Sequence, residues 1–304
     1  MQNRRDKIGM NRASRLFPMA VLAASAVAAI FRIAQLLAVV DYDTMGFFDS
    51  AAPFGLTWGI YVFFGIAAIV FIAGILLDKK MGADSYSCKA AEISPKYTLR
   101  MGIAFGVGFC LQFIQMFAGS DRTGLAFIGE AVTMAAYLAA AFMLLARKGI
   151  KPSVGYIQLI ISISYTIKSA ALFMQDTIIV RVSDELILLL SYVASVLFFL
   201  ALGRFISGNE TKNTRIKLMF TAGATAVLSL CASFSGWFAY LVDLKYFADK
   251  MNNHPLPEMA AAAIALAVIF ALYGEKKELD SEQEDTRQPD GEIEEKSENA
   301  AQQG

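Results

Sequence analysis

The sequence predicts an all-α membrane protein, a bundle of eight transmembrane helices. Of its 304 residues, 56% are hydrophobic and only 18% are charged, against about 25% charged residues in a typical soluble domain. The charges collect in short clusters separated by eight apolar stretches, most of them close to the roughly 20 residues that a helix needs to cross the bilayer core. Lys and Arg are frequent in every second cluster, as expected when successive loops lie on opposite sides of a membrane.

The apolar stretches define the predicted spans in chain order. They cover residues 16–40, 56–77, 101–118, 125–146, 154–174, 186–206, 216–242 and 257–273. The eighth stretch is the least hydrophobic, because four consecutive alanines occupy residues 260–263. Its length and the polar tail behind it still favour a span.

These spans divide the chain into three parts. A basic N-terminus, residues 1–15, precedes an eight-helix transmembrane domain, residues 16–274. The acidic tail, residues 275–304, is rich in Glu, Asp, Gln and Ser and has no aromatic residue. Segments of that composition bury too little apolar surface to fold, so the tail is predicted to be disordered.

The basic residues also orient the bundle. With the N-terminus inside, the N-terminal segment and the three inner loops hold 17 Lys and Arg near the span ends, and the outer loops hold four. Short cytoplasmic loops of membrane proteins carry this excess. The sequence therefore predicts a multi-pass protein of the cell (cytoplasmic) membrane with both termini in the cytoplasm.

Three ionisable residues, Arg32, Glu130 and Lys168, stand out inside the predicted spans, with Gln112 and Gln115 beside them as strong hydrogen-bonding groups. A charge at the bilayer centre costs about 2.5 kcal/mol or more, so each needs a partner or water. Arg32, Gln112, Glu130 and Lys168 all lie eight or nine residues from an outer-loop aspartate. At 1.5 Å per residue they share one layer, about 12–14 Å below the outer loops.

Four spans carry a narrow stripe of polar or small residues at helical spacing. The stripes are Ser25, Ala28, Arg32 and Gln35; Gly108, Gln112, Gln115 and Gly119; Glu130, Thr133, Tyr137 and Ala141; and Gln158, Ser162, Tyr165 and Ser169, with Lys168 at the edge of the last. Lipid cannot satisfy such side chains, so the stripes are predicted to face the bundle.

Two hypotheses fit this layer, and the residues leave both open. In the first, Glu130 pairs with Arg32 or Lys168 and the layer is purely structural, as in a membrane scaffold or accessory subunit. In the second, the layer binds a small anionic or zwitterionic ligand from the outer side, as in a transporter or a sensor. The ligand-binding residues would be Arg32, Gln35, Gln112, Gln115, Glu130 and Lys168. Two cations against one anion favour the second hypothesis, since a self-contained network would more naturally be neutral.

The sequence lacks the motifs of enzymes, metal-binding proteins and nucleic-acid-binding proteins. There is no nucleotide-binding glycine pattern, no HExxH and no GxSxG before a helix, and no nucleophile–base pair, so the chain is predicted not to be an enzyme. One histidine and three widely spaced cysteines suggest no metal site, disulfide framework or cofactor. Every basic cluster flanks a span, which favours topology over nucleic-acid binding. The lipid bilayer is the one macroscopic partner predicted, and protein partners are not indicated.

The sequence of the first predicted hairpin contains a pattern that is also found in other membrane proteins. The run from Phe31 through Arg32 and Gln35 into Asp41-Tyr-Asp-Thr-Met-Gly-Phe-Phe48 resembles uncharacterised multi-pass membrane proteins of Gram-positive anaerobic bacteria. They share an Arg-x-x-Gln first span and a following Asp/Glu-Thr-Gly-Phe loop, although Met45 interrupts Thr-Gly here. The resemblance implies a bacterial cytoplasmic membrane and no known activity.

A faint internal repeat is also present. Gln35 and Asp41 recur in register as Gln115 and Asp121, at the outer end of another odd-numbered span. Inverted or parallel repeats are common in transporters. The repeat suggests that the eight spans form four helical hairpins that open outward.

Overall fold

A computed structural model describes residues 2–38, 40–41, 47–48, 54–80, 93, 95–118, 124–146, 150–175, 184–209, 213–242 and 256–285. Over these residues the chain forms eight α-helices and one short antiparallel strand pair. The helices are α1 (Gln2–Ala38), α2 (Phe54–Lys80), α3 (Pro95–Ala118), α4 (Leu125–Leu145), α5 (Pro152–Gln175), α6 (Asp184–Ile206), α7 (Thr214–Leu241) and α8 (Leu256–Asp285). Strands β1 (Val40–Asp41) and β2 (Phe47–Phe48) pair between α1 and α2.

Seven helices, α1 to α7, contain segments long and apolar enough to cross a membrane. The segments are Phe17–Ala38, Thr57–Leu76, Pro95–Phe117, Leu125–Leu145, Pro152–Met174, Leu186–Ile206 and Thr214–Phe238. They coincide with the first seven predicted spans, which confirms the all-helical, multi-pass architecture. The apolar part of α8, Leu256–Leu272, is shorter, so the eighth span stays a prediction.

The end of α8 differs from the prediction. The helix continues to Asp285, eleven residues into the segment 275–304 that composition predicts to be disordered. Residues 275–285 are mostly Glu, Lys, Leu and Gln, without Pro or Gly, and these residue types cost little in a helix. A helix nucleated by the buried part of α8 therefore propagates into the tail. Residues 286–304 lie outside the described residues, and so do most of the repeat's loop positions.

Helices α3 to α8 form a closed ring. Each packs against the next along the chain, and α8 returns to pack against α3. The neighbours run antiparallel: Gly102 near the start of α3 packs against Leu145 at the end of α4, and the Arg215 guanidinium at the start of α7 donates to the Leu272 carbonyl of α8 at 3.1 Å. α1 lies outside this ring against α7 and α8, and α2 packs on α1 and α7. The four-hairpin arrangement stays a prediction.

The least hydrophobic predicted span is the most enclosed helix. Between Leu256 and Leu272, Ala263 is the one exposed residue of α8, whereas α2 is the least buried of the seven apolar spans. Small side chains allow this enclosure, since a β-carbon added to Gly108 of α3 would lie 3.0 Å from Ala260 Cβ. Helices that face other helices need small residues more than they need large apolar ones.

An aromatic layer fills the ring at mid-height. It consists of Phe105 of α3, Tyr137 of α4, Tyr165 of α5 and Phe199 of α6, all fully buried. The rings of Phe105 and Tyr137 are 5.7 Å apart, those of Tyr165 and Phe199 stack at 5.6 Å, and the two tyrosine hydroxyls are 3.0 Å apart in a hydrogen bond. The ring interior extends on both sides of this layer. One side lies toward the end where α3, α5 and α7 finish, which the charge bias predicts to be the outer end.

The contact between α5 and α6 gives a test of this packing. A β-carbon on Gly155 would lie against Ser207 Oγ and 2.7 Å from the backbone oxygen of Gly203, whereas one on Gly106 would meet nothing within 4 Å. Gly155→Ala should lower the free energy of unfolding by about 1–3 kcal/mol through overpacking. Gly106→Ala should raise it by up to about 1 kcal/mol, because alanine favours the helix. Equal effects of the two variants in thermal unfolding would contradict the contact.

Candidate functional site

All six residues predicted to bind a ligand are buried. Their exposed fractions are 1% for Arg32, 0% for Gln35, 0% for Gln112, 6% for Gln115, 5% for Glu130 and 5% for Lys168. The polar stripes therefore face the bundle, as the periodicity predicts. Large apolar side chains instead cover the outward faces, as at Ile69 and Phe142.

Four of these residues lie at similar depth. Arg32 and Gln112 are each six residues before the ends of α1 and α3. Lys168 is seven residues before the end of α5, and Glu130 is five residues after the start of α4. At 1.5 Å per residue they lie about 8–10 Å below the helix ends at the predicted outer end.

Gln112 and Glu130 point into the ring interior. Each lies seven residues from a member of the aromatic layer on its own helix, Gln112 from Phe105 and Glu130 from Tyr137. Seven residues turn through about 700°, about 20° short of two full turns. Both polar side chains therefore leave their helices in the direction of the aromatic residue, two turns closer to the predicted outer end.

Lys168 forms an ion pair with Glu258 of α8. The sequence analysis did not predict this pair. Its Nζ lies 3.5 Å from Glu258 Oε1, with both side chains buried. The same ammonium lies 4.6 Å from the ring centre of Tyr165 and 5.5 Å from that of Tyr192. The sequence predicts Glu130 as the partner of Arg32 or Lys168, and that pairing stays a prediction beside the described pair with Glu258. Glu130 remains buried on α4.

The sequence contains a signal for the burial of Glu258. Glu258 is the second residue of the predicted eighth span and is not among the ionisable residues predicted inside the spans. However, Glu258 and the next charged residue, Glu275, are 17 residues apart, about 25 Å along a helix, which is less than the roughly 30 Å hydrocarbon core. If α8 crosses the bilayer, one of these carboxylates must lie inside it. With Glu258 included, the buried charges among the described residues are two cations and two anions, so these residues have no surplus cation.

The start of α8 lies inside the ring. Glu258 is in the first turn of α8, yet it pairs with Lys168, which is about 10 Å inside the end of α5 at 1.5 Å per residue. A carboxylate in the first turn interacts favourably with the helix dipole. Tyr137 and Tyr165 are also close enough to Glu258 to interact with it electrostatically. Glu258 therefore lies on the side of the aromatic layer nearer the predicted outer end.

The carboxylate of Glu258 has few hydrogen bonds for a fully buried group. Charge-assisted N–H···O bonds are usually about 2.7–2.9 Å long, shorter than the 3.5 Å to Lys168 Nζ. Within the described part of the chain, neither Glu258 oxygen accepts a hydrogen bond of good geometry, although Lys168 and the Tyr165 hydroxyl both lie near enough to interact with the carboxylate. The ion pair is thus in place without the additional hydrogen bonds that normally offset desolvation.

Arg32 and Gln35 belong to a second group. Arg32 Nη1 donates to Gln35 Oε1 at 2.8 Å, and Gln35 Nε2 donates to the Thr57 carbonyl of α2 at 3.2 Å. Arg32 also lies close to Tyr61 and Cys231. These contacts are on α1, α2 and α7, whereas Lys168 contacts groups on α5, α6 and α8 and packs against Gly129 of α4. We call these two sets of contacts the Arg32 group and the Lys168 group.

Gln112 is a buried polar side chain with no hydrogen-bond partner among the described residues. It is fully buried, and neither its amide nitrogen nor its amide oxygen has a hydrogen-bond partner among the described residues. Gln158 of α5 has the same property and lies seven residues from Tyr165 on the other side of the aromatic layer. A buried unsatisfied polar group costs about 1–3 kcal/mol, so each amide calls for an explanation such as water or a guest molecule.

Comparison with protein-family models, curated proteins and solved structures gives no match. The geometry of the buried polar groups therefore carries the functional interpretation. The absence of catalytic, metal and cofactor sites stays a prediction of the sequence.

The ion pair predicts a specific coupling. Lys168→Met removes the described counter-ion of buried Glu258 and should cost about 3–5 kcal/mol, and Glu258→Gln should cost about 1–3 kcal/mol. The double variant should be less damaging than the sum by at least about 1 kcal/mol. Thermal or denaturant unfolding in detergent measures all three.

Lys151 supplies the control for this cycle. It is exposed just before α5, so Lys151→Met combined with Glu258→Gln should be additive within about 0.5 kcal/mol. If the changes in unfolding free energy caused by the Lys168 and Glu258 variants also add up, the two side chains do not interact.

Proposed function

We propose that this chain is a multi-pass protein of the cytoplasmic membrane that binds a small anionic or zwitterionic ligand from the outer side. It spans the bilayer eight times, with both termini in the cytoplasm. The bias of basic residues supports this orientation, and the resemblance of the first hairpin supports a bacterial membrane. Helix α8 has 30 residues and is about 45 Å long. It is therefore long enough to begin inside the ring and to extend out of the bilayer on the cytoplasmic side.

The observation that carries the ligand proposal is the empty hydrogen-bonding capacity of Gln112. Both atoms of its amide are buried and unsatisfied within the part of the chain that the structure describes. Gln112 lies one helical turn from Gly108, which packs against Ala260 in α8. The amide is therefore level with the first turn of α8 and with Glu258, where a guest could use its donor and its acceptor together.

The aromatic layer supports access from the outer side. Phe105, Tyr137, Tyr165 and Phe199 fill the ring between the Lys168 group and the cytoplasmic end. A ligand coming from the cytoplasm would have to displace these packed rings, whereas the polar groups lie only about 8–10 Å below the outer helix ends.

A ligand-binding membrane protein of this kind is either a transporter or a sensor. Transport requires the aromatic layer to open during the cycle, because binding sites of transporters are exposed alternately to the two sides. Sensing requires only that binding be communicated inward. One continuous helix, α8, runs from Glu258 at the ligand layer to Asp285, which supplies a direct mechanical connection for a sensor.

A structural role is the alternative, and the ion pair favours it. Lys168 and Glu258 already neutralise one another, so the layer needs no guest to balance its charge. In that case the chain is a membrane scaffold or accessory subunit whose buried charges fix helix register, a role that buried polar groups have in some proteins.

Two glutamines distinguish these possibilities. Gln112→Leu and Gln158→Leu each remove a fully buried, unsatisfied amide, so both should leave the free energy of unfolding unchanged or raise it by about 1 kcal/mol. Ligands are found by thermal shift with small carboxylates, phosphate and amino acids on the purified chain. Gln112→Leu should abolish the shift and Gln158→Leu should retain it. A wild-type chain that responds to none of these compounds would support the structural role.

A further inference from the structure

We infer that the ligand is a small zwitterion of the α-amino-acid type with an apolar side chain, bound alongside the Lys168–Glu258 ion pair with one of its charges at each residue. This inference rests on the proposed function and narrows its ligand class. It assigns a binding role to Glu258, which lies outside the predicted site.

The charges of the pair determine this class. Lys168 offers a cation and Glu258 an anion 3.5 Å apart, so a guest with a single charge would satisfy one of them and compete with the other. An α-amino acid carries its ammonium and its carboxylate on one carbon atom. It can place its carboxylate at Lys168 and its ammonium at Glu258, so that the four charges alternate in sign and every neighbour attracts.

The hydrogen-bonding capacity of the pair points the same way. Each oxygen of Glu258 lacks a hydrogen bond of good geometry in the described structure, and an ammonium group brings three donors. The unsatisfied amide of Gln112 faces the same part of the ring interior and can donate to the guest's carboxylate. A zwitterion therefore supplies what these buried groups lack, whereas a simple anion leaves Glu258 as it is and adds a like charge.

The surroundings of the pair favour an apolar side chain. Tyr165 and Tyr192 flank the Lys168 ammonium, and the aromatic layer lies directly beneath it. Aromatic rings of this kind contact aliphatic or aromatic groups favourably. A guest held by its two charges at Lys168 and Glu258 would direct its side chain onto these rings or toward the outer end of the ring interior.

Matched compounds test the charge requirement. Alanine, leucine and phenylalanine are each compared with the carboxylate that lacks the amino group and the amine that lacks the carboxyl group. Binding is measured by thermal shift and calorimetry on the purified full-length chain. At least one amino acid should bind. Its two singly charged analogues should bind more than about tenfold more weakly, since each adds a charge that one member of the pair repels and omits a group that the other member would bind.

Substitutions at the pair should change the preference in opposite directions. Glu258→Gln should shift binding from the amino acid to the carboxylate, because Lys168 then lacks its anion. Lys168→Met should shift binding to the amine. A purely structural pair would not produce this reversal. Gln158→Leu is the control variant and should keep the wild-type order.

The double variant Lys168→Met with Glu258→Gln covers the case in which a single variant does not fold. It should fold and lose binding of the amino acid.

Equal binding of the carboxylate and the amino acid by the wild-type chain would refute the zwitterion while leaving the proposed function in place. Binding of the amino acid that survives in the double variant would place the ligand elsewhere. If the nine compounds, phosphate and succinate all fail to bind, the proposed function fails too.

Discussion

The exclusion of water from the bilayer core is the constraint on which this structure depends. A charge placed there costs several kcal/mol unless another charge or a dipole compensates it. Lys168 of α5 and Glu258 of α8 meet this constraint together, and they can do so only if α8 begins inside the ring. The enclosure of α8, the small residues that surround it and the polar layer at its start all follow from that placement.

The burial of α8 explains its composition. A helix surrounded by other helices gains nothing from large apolar side chains that lipid would otherwise contact, and close approach favours alanine and glycine. Ala260 beside Gly108 is one such approach. The aromatic layer supplies the bulk that α8 lacks, since Tyr137 and Tyr165 fill the space next to its first turns and join α4 to α5 through their hydroxyl groups.

Much of this arrangement was predictable from periodicity and charge, because lipid exposure imposes a strong pattern on sequence. The first seven spans and the burial of Arg32, Gln112 and Lys168 follow from that pattern. The partner of Lys168 did not, since which helices meet depends on the closed ring, and a single sequence carries no signal for ring closure. Glu258 was not among the predicted site residues. An acidic residue beside Pro257 resembles an ordinary helix start, and only the short distance to Glu275 indicates burial. The helical part of the tail was missed because composition alone ignores propagation from a buried helix.

A cross-link between positions 168 and 258 tests the central claim most directly. The chain would carry cysteines at these two positions in place of Lys168 and Glu258 and no other cysteine. It would be treated in membranes with a bifunctional thiol reagent that spans about one helical turn, about 5 Å. The account predicts that fragments cleaved between α6 and α7 remain joined. A control pair at positions 168 and 275 should give separate fragments, because position 275 lies about 25 Å from position 258 along α8. Separate fragments from the first pair, or equal joining of both pairs, would show that α8 does not begin at Lys168.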